Sequence, residues 1–403
     1  MTVKQEYGIV VVGAGHAGGR AVEAMRGAGY AGELTLIGKE PVRPYERPPL
    51  SKGMLLEAAP QPPFLRPESY YQDHDIDLRL NVSAAALDPD AHEIELSDGS
   101  RLGYSKLLLA TGARPRQLAG LEGGGLPVFY LRDLDDALRL RAALVEGRRA
   151  VIVGGGVIGL ELAAAARKRG CKVVVLEAAE RVMSRVVSPL VATWIRSRHE
   201  RFGVTILCDA TIASVEPSGV RLADGQLLAA DLLVVGVGIT PNMELAERAG
   251  ISTAEGIIVD ATGRTDAPDI YAAGDVAIQF VPQFGRRVRL ETWANAQNQA
   301  IAVGCQMCGG AAPAGEVPWY WTDQHDFHVQ VAGNPLADVE VVRGDPAEDN
   351  FTLFHLRDGL VVGATAVNNK RDMAVARRLV QRMVRIDRAA LADRAYDLRK
   401  ALQ

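Results

Sequence analysis

The chain has 403 residues, of which 48% are hydrophobic and 23% are charged, and its formal net charge is −4. This composition is typical of a globular protein of two or three domains, and the negative charge argues against sequence-independent binding to nucleic acid or anionic lipid. Apolar runs are too short for a membrane span, and the polar stretch 1–7 lacks a secretory or transit pattern, so we expect a cytoplasmic protein.

The first motif is a glycine fingerprint, G-A-G-H-A-G over 13–18, which follows an apolar strand predicted over 9–12. The pattern then predicts a helix over 17–26 and a second strand over 33–37. Glycines at this spacing allow backbone N–H groups to approach a pyrophosphate, and the N-terminus of the helix binds the anion. One such fingerprint is weak evidence, because glycine-rich turns occur in many α/β loops.

A proline-rich excursion over 43–67 follows the first βαβ unit. Its R-P-P-L-S-K segment predicts a stiff loop that holds Arg47 and Lys52 at fixed positions. Short strands are predicted from 78 to 109, and the last of them ends at Thr111-Gly112.

A second fingerprint, G-G-G-V-I-G over 154–159, repeats the arrangement, with a strand predicted before it and a helix over 158–169 after it. Glu177 ends the next strand, where a carboxylate accepts hydrogen bonds from a ribose 2′-OH and repels a 2′-phosphate. This position favours NADH over NADPH, although a solvated glutamate is the simpler alternative. Two dinucleotide sites in one chain predict electron transfer between two cofactors.

Two further carboxylates stand in unusual positions. Glu161 lies in an otherwise apolar helix, and a buried carboxylate is costly unless it is paired, so Lys52 is a reasonable partner. A surface position for Glu161 is the alternative. Asp275 follows a strand and is predicted to start a helix, where it either caps that helix or accepts hydrogen bonds from cofactor hydroxyls.

The cysteines and histidines do not indicate a metal site. The C-x-x-C at 305–308 lies at the end of an apolar helical stretch and is interpreted as structural rather than redox-active or zinc-binding. His325 and His328, read as members of one strand, point to different sides and are also interpreted as structural. Beyond residue 318 the alternating pattern predicts an antiparallel sheet, followed by a helical tail.

Several segments together resemble the FAD-dependent, NADH-using ferredoxin and rubredoxin reductases of bacterial cytochrome P450 and Rieske dioxygenase systems, which are relatives of apoptosis-inducing factor. The resemblance covers essentially the whole chain, and the R-P-P-L-S-K and W-x-W-x-D-Q segments are specific to this branch. The segments that carry it are 11–18, 44–52, 109–115, 130–132, 153–161, 271–275 and 318–324.

The resemblance implies an α/β fold with two Rossmann-like dinucleotide-binding domains of the glutathione-reductase type and a C-terminal α+β interface domain with an antiparallel sheet. The expected FAD-binding domain is 1–114 with 242–317, the NAD-binding domain 115–241 and the interface domain 318–403. It also implies an FAD-dependent NADH:ferredoxin oxidoreductase of the EC 1.18.1 class. Such an enzyme transfers hydride from NADH to FAD, then single electrons to a [2Fe–2S] ferredoxin that serves a cytochrome P450 or Rieske oxygenase.

The family's functional residues map onto this sequence as follows. The resemblance implies that Lys52, Glu161 and Trp293 are catalytic residues and that Lys52 and Glu161 are paired beneath the flavin. Trp293 and Trp321 either flank the edge of the flavin or are simply core or interface residues. FAD is bound by Gly13, Gly15, Ala17, Gly18, Lys39, Glu40, Arg47, Lys52, Val82, Thr111, Gly112, Arg132, Gly274, Asp275, Thr292, Trp293 and Trp321. NADH is bound by Gly154, Gly156, Val157, Ile158, Gly159, Glu177 and Gly238. The family often has an acid where Lys39 stands, so either Lys39 or Glu40 contacts the adenosine.

The resemblance also predicts a basic patch for an acidic ferredoxin, with Arg286, Arg287 and Arg289 as candidates or, equally, as a merely solvated loop. Two other functions stay open at this point. One is a reductase of a small-molecule acceptor such as monodehydroascorbate or oxygen, and the other is a redox signalling protein like apoptosis-inducing factor. The oligomeric state, monomer or homodimer, is also open.

Overall fold

A computed structural model describes residues 7–403 of the chain. Its strands are β1 Ile9–Val12, β2 Leu34–Ile37, β3 Ile76–Arg79, β4 Ala84–Asp88, β5 Glu93–Leu96, β6 Arg101–Gly103, β7 Lys106–Leu109, β8 Ala113–Pro115, β9 Val128–Phe129, β10 Arg149–Val153, β11 Lys172–Leu176, β12 Val204–Leu207, β13 Ile212–Glu216, β14 Gly219–Leu222, β15 Leu227–Ala229, β16 Leu232–Val235, β17 Ile239–Pro241, β18 Ile257–Ile258, β19 Ile270–Ala272, β20 Ala277–Val281, β21 Arg286–Arg289, β22 Trp319–Gln324, β23 Phe327–Gly333, β24 Val339–Asp345, β25 Asn350–Arg357 and β26 Leu360–Val367.

The α-helices are α1 His16–Gly27, α2 Gly53–Leu56, α3 Ser69–Asp73, α4 Leu134–Ala143, α5 Val157–Lys168, α6 Pro189–Arg201, α7 Glu244–Arg248, α8 Trp293–Met307, α9 Lys370–Arg382 and α10 Arg388–Ala392. Short 3₁₀ helices span Pro48–Ser51, Pro346–Glu348 and Leu398–Leu402. Across residues 7–403 no helix combines the length and the apolar character that a membrane crossing requires.

The described chain forms two compact units, of which the first comprises 7–47, 63–114 and 240–318. Its main sheet is parallel, with the strand order β19-β7-β1-β2-β3. Every residue of β1 is buried, as expected for a central strand of a sheet that is covered on both faces. Alternate residues of β1 therefore enter two different cores. Val11 packs in the core that includes α1 and α8, and Val10 packs in the other core.

The second unit comprises 48–62, 115–239 and 319–403. It contains a second parallel sheet, with the order β12-β11-β10-β16-β9, and a small antiparallel sheet β13-β14-β15. The segment 48–62 packs in this unit, where Arg141 and Arg169 both donate to the carbonyl of Leu55, over 2.8 and 2.9 Å. The division into three domains at 114, 241 and 317 stays a prediction.

The C-terminal part of the second unit is an antiparallel sheet with the order β22-β23-β26-β25-β24. Its buried face shares a core with helix α6, in which Trp194 packs edge-on against Phe327 and Phe351. The predicted fold class, two Rossmann-like units of parallel sheet followed by an antiparallel C-terminal sheet, is confirmed.

Candidate functional site

The first fingerprint forms the turn between β1 and α1 in the first unit. Gly13 has φ +116°, and a Cβ at Gly13 would overlap the carbonyl oxygen of Ala110 in the loop after β7. A Cβ at Gly18 would overlap the carbonyl oxygen of Gly13, so Gly18 allows the helix to pack against the strand. At Gly15 the nearest atom that a Cβ would meet is the guanidinium of Arg47, 4.0 Å away. The turn therefore presents an open backbone face at the N-terminus of α1.

Parallel strands bring the other predicted FAD residues of this unit to the same edge of the sheet. Lys39 follows β2, Thr111 follows β7 and Gly274 follows β19, each just beyond the carboxyl end of its strand. Ligands of open α/β sheets bind at this edge. Val82 lies beside the loop after β2, where its N–H donates to the carbonyl of Gly38 over 3.0 Å.

His16 provides a test of whether this turn fits a ligand. Its ring is 7% exposed, and neither ring nitrogen finds a hydrogen-bond partner within residues 7–403. Burial lowers the pKa of His16 to about 4, so the ring is neutral at pH 7. Buried polar groups are normally hydrogen-bonded, so a ligand with polar atoms at this turn would satisfy the ring. The open backbone at Gly15 and the buried imidazole fit the phosphates and hydroxyls of FAD.

Glu40, one of the two candidates for the adenosine contact, is hydrogen-bonded to two side chains of the first unit. Its carboxylate accepts from the Tyr45 hydroxyl over 2.5 Å and from Arg47 Nη2 over 2.7 Å. Lys39 is exposed. Glu40 thus holds Arg47 beside the glycine turn, a role that the sequence alone did not suggest, and which of the two residues contacts adenosine stays a prediction.

Asp275 does not begin a helix, so the predicted helix and its cap are wrong. Gly274 and Asp275 form a turn that leads directly into strand β20, which pairs antiparallel with β21. The residues after the turn, A-I-Q-F-V, favour a strand because β-branched and aromatic side chains pack well on a pleated sheet. The Gly274 N–H donates to Gln299 Oε1 over 2.9 Å, and this bond, which sequence reasoning missed, fixes the turn.

Helix α8 begins beside this turn with the other predicted flavin residues. Thr292 caps the helix, since its side chain accepts from the N–H of Asn295 over 3.1 Å. Trp293 is the first helical residue, and its ring centroid lies 5.2 Å from that of His16. Thr111 and Asn242 exchange two hydrogen bonds of 2.7 and 2.8 Å, which join the loops after β7 and β17. Asn242 was not among the predicted site residues.

The second fingerprint repeats this geometry in the second unit. Gly154 has φ +104°, and a Cβ there would overlap the carbonyl of Gly236 in the loop after β16. Gly156 caps helix α5, and within the described chain a Cβ at Gly156 would meet no atom within 4 Å beyond its sequence neighbours. Val157 and Ile158 open the helix, and the side chain of Ile158 is 43% exposed. The open N-terminus of α5 fits the pyrophosphate of a second dinucleotide.

Glu177 braces this turn from the end of β11. Its Oε2 accepts from the N–H of Gly155 over 2.7 Å, and its Oε1 accepts from the N–H of Ala179 over 2.8 Å. A carboxylate has about four acceptor positions, so lone pairs remain for a ribose hydroxyl. Gly238 lies in the loop after β16 with φ +104°, and its carbonyl accepts from the N–H of Arg116 over 3.0 Å.

Lys52 and Glu161 meet within the second unit. Lys52 Nζ lies 2.6 Å from Glu161 Oε2, and the same oxygen accepts from the Ser51 hydroxyl over 2.5 Å. Glu161 Oε1 accepts from the hydroxyl of Thr322 on β22 over 2.7 Å. Glu161 is only 3% exposed, whereas 24% of the Lys52 side chain is exposed. Both hydroxyls lie in the motifs R-P-P-L-S-K and W-x-W-x-D-Q, but neither was predicted as a site residue.

Arg132 and Trp321 also lie in the second unit. The N–H of Arg132 donates to Asp136 Oδ2 over 2.9 Å, which places the residue just before the N-terminus of α4. Trp321 stacks on Trp319 with a centroid distance of 5.4 Å, and the Arg377 guanidinium lies 4.4 Å from the Trp319 ring. Trp321 thus belongs to an aromatic pair on the C-terminal sheet.

Among the histidines and cysteines that the sequence singled out, only the position of His325 differs from the prediction. His325 does not lie in a strand but in the turn after β22, with φ +49°, because β22 and β23 form a hairpin that closes there. His328 Nδ1 lies 2.6 Å from Asp323 Oδ1. Cys305 and Cys308 are free thiols, and burial raises the pKa of Cys308. Within residues 7–403, no group of three or more potential ligands is arranged for a metal ion.

Comparison with known proteins identifies the family. A family model described as pyridine nucleotide-disulphide oxidoreductase matches residues 7–300, and one described as reductase C-terminal matches residues 319–402. The ferredoxin–NAD(+) reductase component of the p-cumate 2,3-dioxygenase system of Pseudomonas putida is 42% identical over 393 residues, which cover 97% of this chain and 97% of that protein.

Two solved structures agree with this assignment. The putidaredoxin reductase–putidaredoxin covalent complex matches with a TM-score of 0.95 and 32% identity, over 98% of each chain. The ferredoxin reductase for the CYP199A2 system of Rhodopseudomonas palustris matches with a TM-score of 0.93 and 37% identity, over 98% of this chain and 99% of that one. These findings confirm the resemblance predicted from the motifs. The chain therefore belongs to the pyridine nucleotide-disulphide oxidoreductase family, in the group that has a reductase C-terminal domain and includes ferredoxin–NAD(+) reductase components of dioxygenase systems.

Proposed function

We propose that this protein is an NADH-dependent flavoprotein reductase that passes electrons through FAD to a [2Fe–2S] ferredoxin, which in turn supplies a cytochrome P450 or Rieske oxygenase. The observation that carries the proposal is the pair of strand-turn-helix sites, one in each unit, in a chain that matches dioxygenase-system reductases over nearly its whole length. In balance, one NADH and two oxidised ferredoxins give NAD⁺, two reduced ferredoxins and one proton.

The first unit would hold FAD. The open turn at Gly15 and the N-terminus of α1 suit its pyrophosphate, and the buried His16 ring can hydrogen-bond to its polar atoms. Arg47, held by Glu40, adds a cation beside the same turn. FAD, when bound, supplies the ability to accept two electrons as a hydride and to release them one at a time.

The second unit would hold NADH. The backbone at Gly156 and the N-terminus of α5 suit the pyrophosphate of NADH, and Glu177 offers its remaining lone pairs to the ribose. Lys52 donates from Nζ to Glu161 Oε2, so that a cation is held in one orientation by a buried carboxylate. We infer that this pair orients the nicotinamide ring of NADH. We also place the reaction in the cytoplasm, where NADH is regenerated.

The proposal is tested by anaerobic stopped-flow reduction of the yellow holoenzyme with NADH, then with NADPH, followed by mixing with oxidised [2Fe–2S] ferredoxin. We expect rapid, NADH-selective bleaching of the flavin and prompt reduction of the ferredoxin. Rapid bleaching without electron transfer to any ferredoxin would instead indicate a reductase of a small-molecule acceptor. Slow bleaching with a change of oligomeric state would indicate a signalling protein.

Exchange of Gly156 for alanine tests the NADH site without disturbing the fold. Gly156 has φ −79° and ψ −174°, which alanine adopts freely, and its Cβ would point into open space. We expect an unchanged melting temperature and a dissociation constant for NADH raised about tenfold or more, because the methyl group would occupy the space of the pyrophosphate.

The matched control is Gly159→Ala, whose Cβ would overlap the Gly154 carbonyl oxygen. It should lower the melting temperature, since overpacking costs about 1–3 kcal/mol. Unchanged NADH binding by a folded Gly156→Ala variant would refute the placement of the pyrophosphate.

The proposed ferredoxin-binding patch is narrower than the sequence suggested. Arg286 and Arg287 are exposed on β21, whereas Arg289 pairs with Glu291 over 2.5 Å and donates to the Asp275 carbonyl over 3.2 Å. Reversal of the first two charges should raise the KM for ferredoxin about tenfold at low salt, since charge complementarity accelerates association.

The rate of NADH-dependent ferricyanide reduction should not change in this double variant, because ferricyanide needs no docking surface. The effect should also shrink in high salt. Arg101→Glu, a reversal at an exposed arginine on β6 of the same unit, is the control and should leave ferredoxin kinetics unchanged. Equal KM values for the double variant and the wild type would eliminate the patch.

A further inference from the structure

A continuous chain of hydrogen bonds leads from the buried carboxylate of Glu161 to a histidine near the surface. Thr322 Oγ1 lies 2.7 Å from Glu161 Oε1, and Gln324 Nε2 lies 3.0 Å from Thr322 Oγ1. Gln324 Oε1 lies 2.7 Å from His199 Nε2, and His199 Nδ1 lies 3.2 Å from Nε2 of the half-buried His325. Glu161, Thr322, Gln324 and His199 are each no more than 3% exposed. All members belong to the second unit.

The carboxylate end sets the direction of this chain. Glu161 is paired with Lys52 and can only accept, so the Thr322 hydroxyl must donate to it. That hydroxyl has one proton, and it must therefore accept from the amide nitrogen of Gln324. The amide oxygen of Gln324 then faces His199 and requires a donor there.

The same logic assigns the tautomers of both histidines. His199 must carry its proton on Nε2, which leaves Nδ1 as an acceptor for the Nε2–H of His325. Burial lowers the pKa of His199 to about 4 and, with the neighbouring cations of Lys168 and Arg167 adding to the effect, lowers that of His325 to about 3. Both rings are therefore neutral at pH 7, and the neutral His199 ring is what leaves its Nδ1 able to accept.

We propose that Thr322, Gln324 and His199 are positioning residues, which hold the Glu161 carboxylate towards Lys52 through a one-directional hydrogen-bond chain that ends at His325. The chain also transmits the chemical state of residue 161 to both histidines. If residue 161 donates instead, the Thr322 hydroxyl accepts from it and its own proton is free to be donated to Gln324, so that every later bond reverses. The expected effect of this hydrogen-bond chain on NADH oxidation rests on the proposed function, whereas the direction of its hydrogen bonds does not.

The direction is tested by long-range ¹H–¹⁵N NMR of the FAD-loaded protein labelled with ¹⁵N-histidine, with signals assigned through His199→Gln and His325→Gln. We expect both rings to be neutral and protonated on Nε2 at pH 7. In Glu161→Gln the new amide oxygen should face Lys52 and the amide nitrogen should face Thr322, so both histidines should switch to the Nδ1–H tautomer.

The internal control is His355, which bonds to Thr365 over 3.0 Å outside the chain and should give the same signals in both proteins. A charged ring or an Nδ1–H tautomer at His199 in the wild type would overturn the proposal, and this measurement does not depend on the variant. Unchanged tautomers in a folded Glu161→Gln protein would overturn the transmission along the chain.

The positioning role is tested by Gln324→Leu, which removes the link but keeps the volume of the side chain. We expect kcat for NADH-dependent ferricyanide reduction to fall about tenfold while KM for NADH stays within twofold, because the Thr322 hydroxyl loses the donor that directs its proton towards Glu161 but the nucleotide site is intact. Thr365→Val, which breaks a buried His–Thr bond elsewhere in the same unit, should leave kcat unchanged.

Equal kcat values for Gln324→Leu and the wild type would refute the proposal that Gln324 helps to position the Glu161 carboxylate. If the wild type itself did not oxidise NADH, the proposed function would fail. The histidine tautomers measured by NMR would still decide whether the one-directional hydrogen-bond chain exists.

Discussion

Exchange of Glu177 for glutamine is expected to remove most of the preference for NADH over NADPH. Two charges about 4 Å apart near a protein surface interact by about 4 kcal/mol, and the 2′-phosphate of NADPH carries a charge near −2. Solvent and salt screen part of this repulsion at a half-exposed strand end, so we expect the wild type to prefer NADH by about 10²-fold in kcat/KM. In the variant the preference should fall below about tenfold, as measured by ferricyanide reduction with each nucleotide.

The variant should also use NADH less well than the wild type. Both carboxylate oxygens accept from backbone N–H groups, those of Gly155 and Ala179, and a glutamine side chain can accept from only one of them. The control is Glu180→Gln, three residues further on, where the side chain is 70% exposed. A preference for NADH that survives Glu177→Gln unchanged would show that another residue selects the nucleotide.

Exchange of Lys52 for methionine is expected to lower the apparent free energy of unfolding by about 3 kcal/mol. The change leaves the carboxylate of Glu161 almost fully buried, and among residues 7–403 its remaining donors are the hydroxyls of Ser51 and Thr322. An unpaired buried charge is strongly destabilising, whereas replacement of both partners removes the charge as well. Urea unfolding should therefore show that Lys52→Met/Glu161→Gln recovers at least half of the loss.

NADH oxidation separates the two roles of this pair. The double variant should regain stability but not activity, if Lys52 orients the reacting ring as proposed. Lys172→Met, at an exposed lysine on β11, serves as the control and should change stability by less than about 0.5 kcal/mol. If Lys52→Met alone were as stable as the wild type, the carboxylate would not depend on the lysine in the folded protein.

Local patterns account for what the sequence predicted well. Each βαβ unit is encoded within about thirty consecutive residues, where an apolar strand, a glycine turn and an Ala-rich helix identify themselves by period and spacing. The observed bounds, such as α5 at Val157–Lys168, differ from the predicted 158–169 by a single residue at each end. The helix predicted to begin at Asp275 was wrong because a strand followed by Gly-Asp is compatible with either a helix or a second strand.

Such local patterns predict the two glycine turns, the strand-end position of Glu177 and the unusual presence of Glu161 in an otherwise apolar helix. The full set of partners of the Glu161 carboxylate becomes visible only in the folded protein. Ser51 and Thr322 reach Glu161 from positions 110 and 161 residues away along the chain. The geometry that brings such distant groups together is set by packing of the whole unit, because hydrogen-bond partners at long sequence separation leave no periodic signal in the chain.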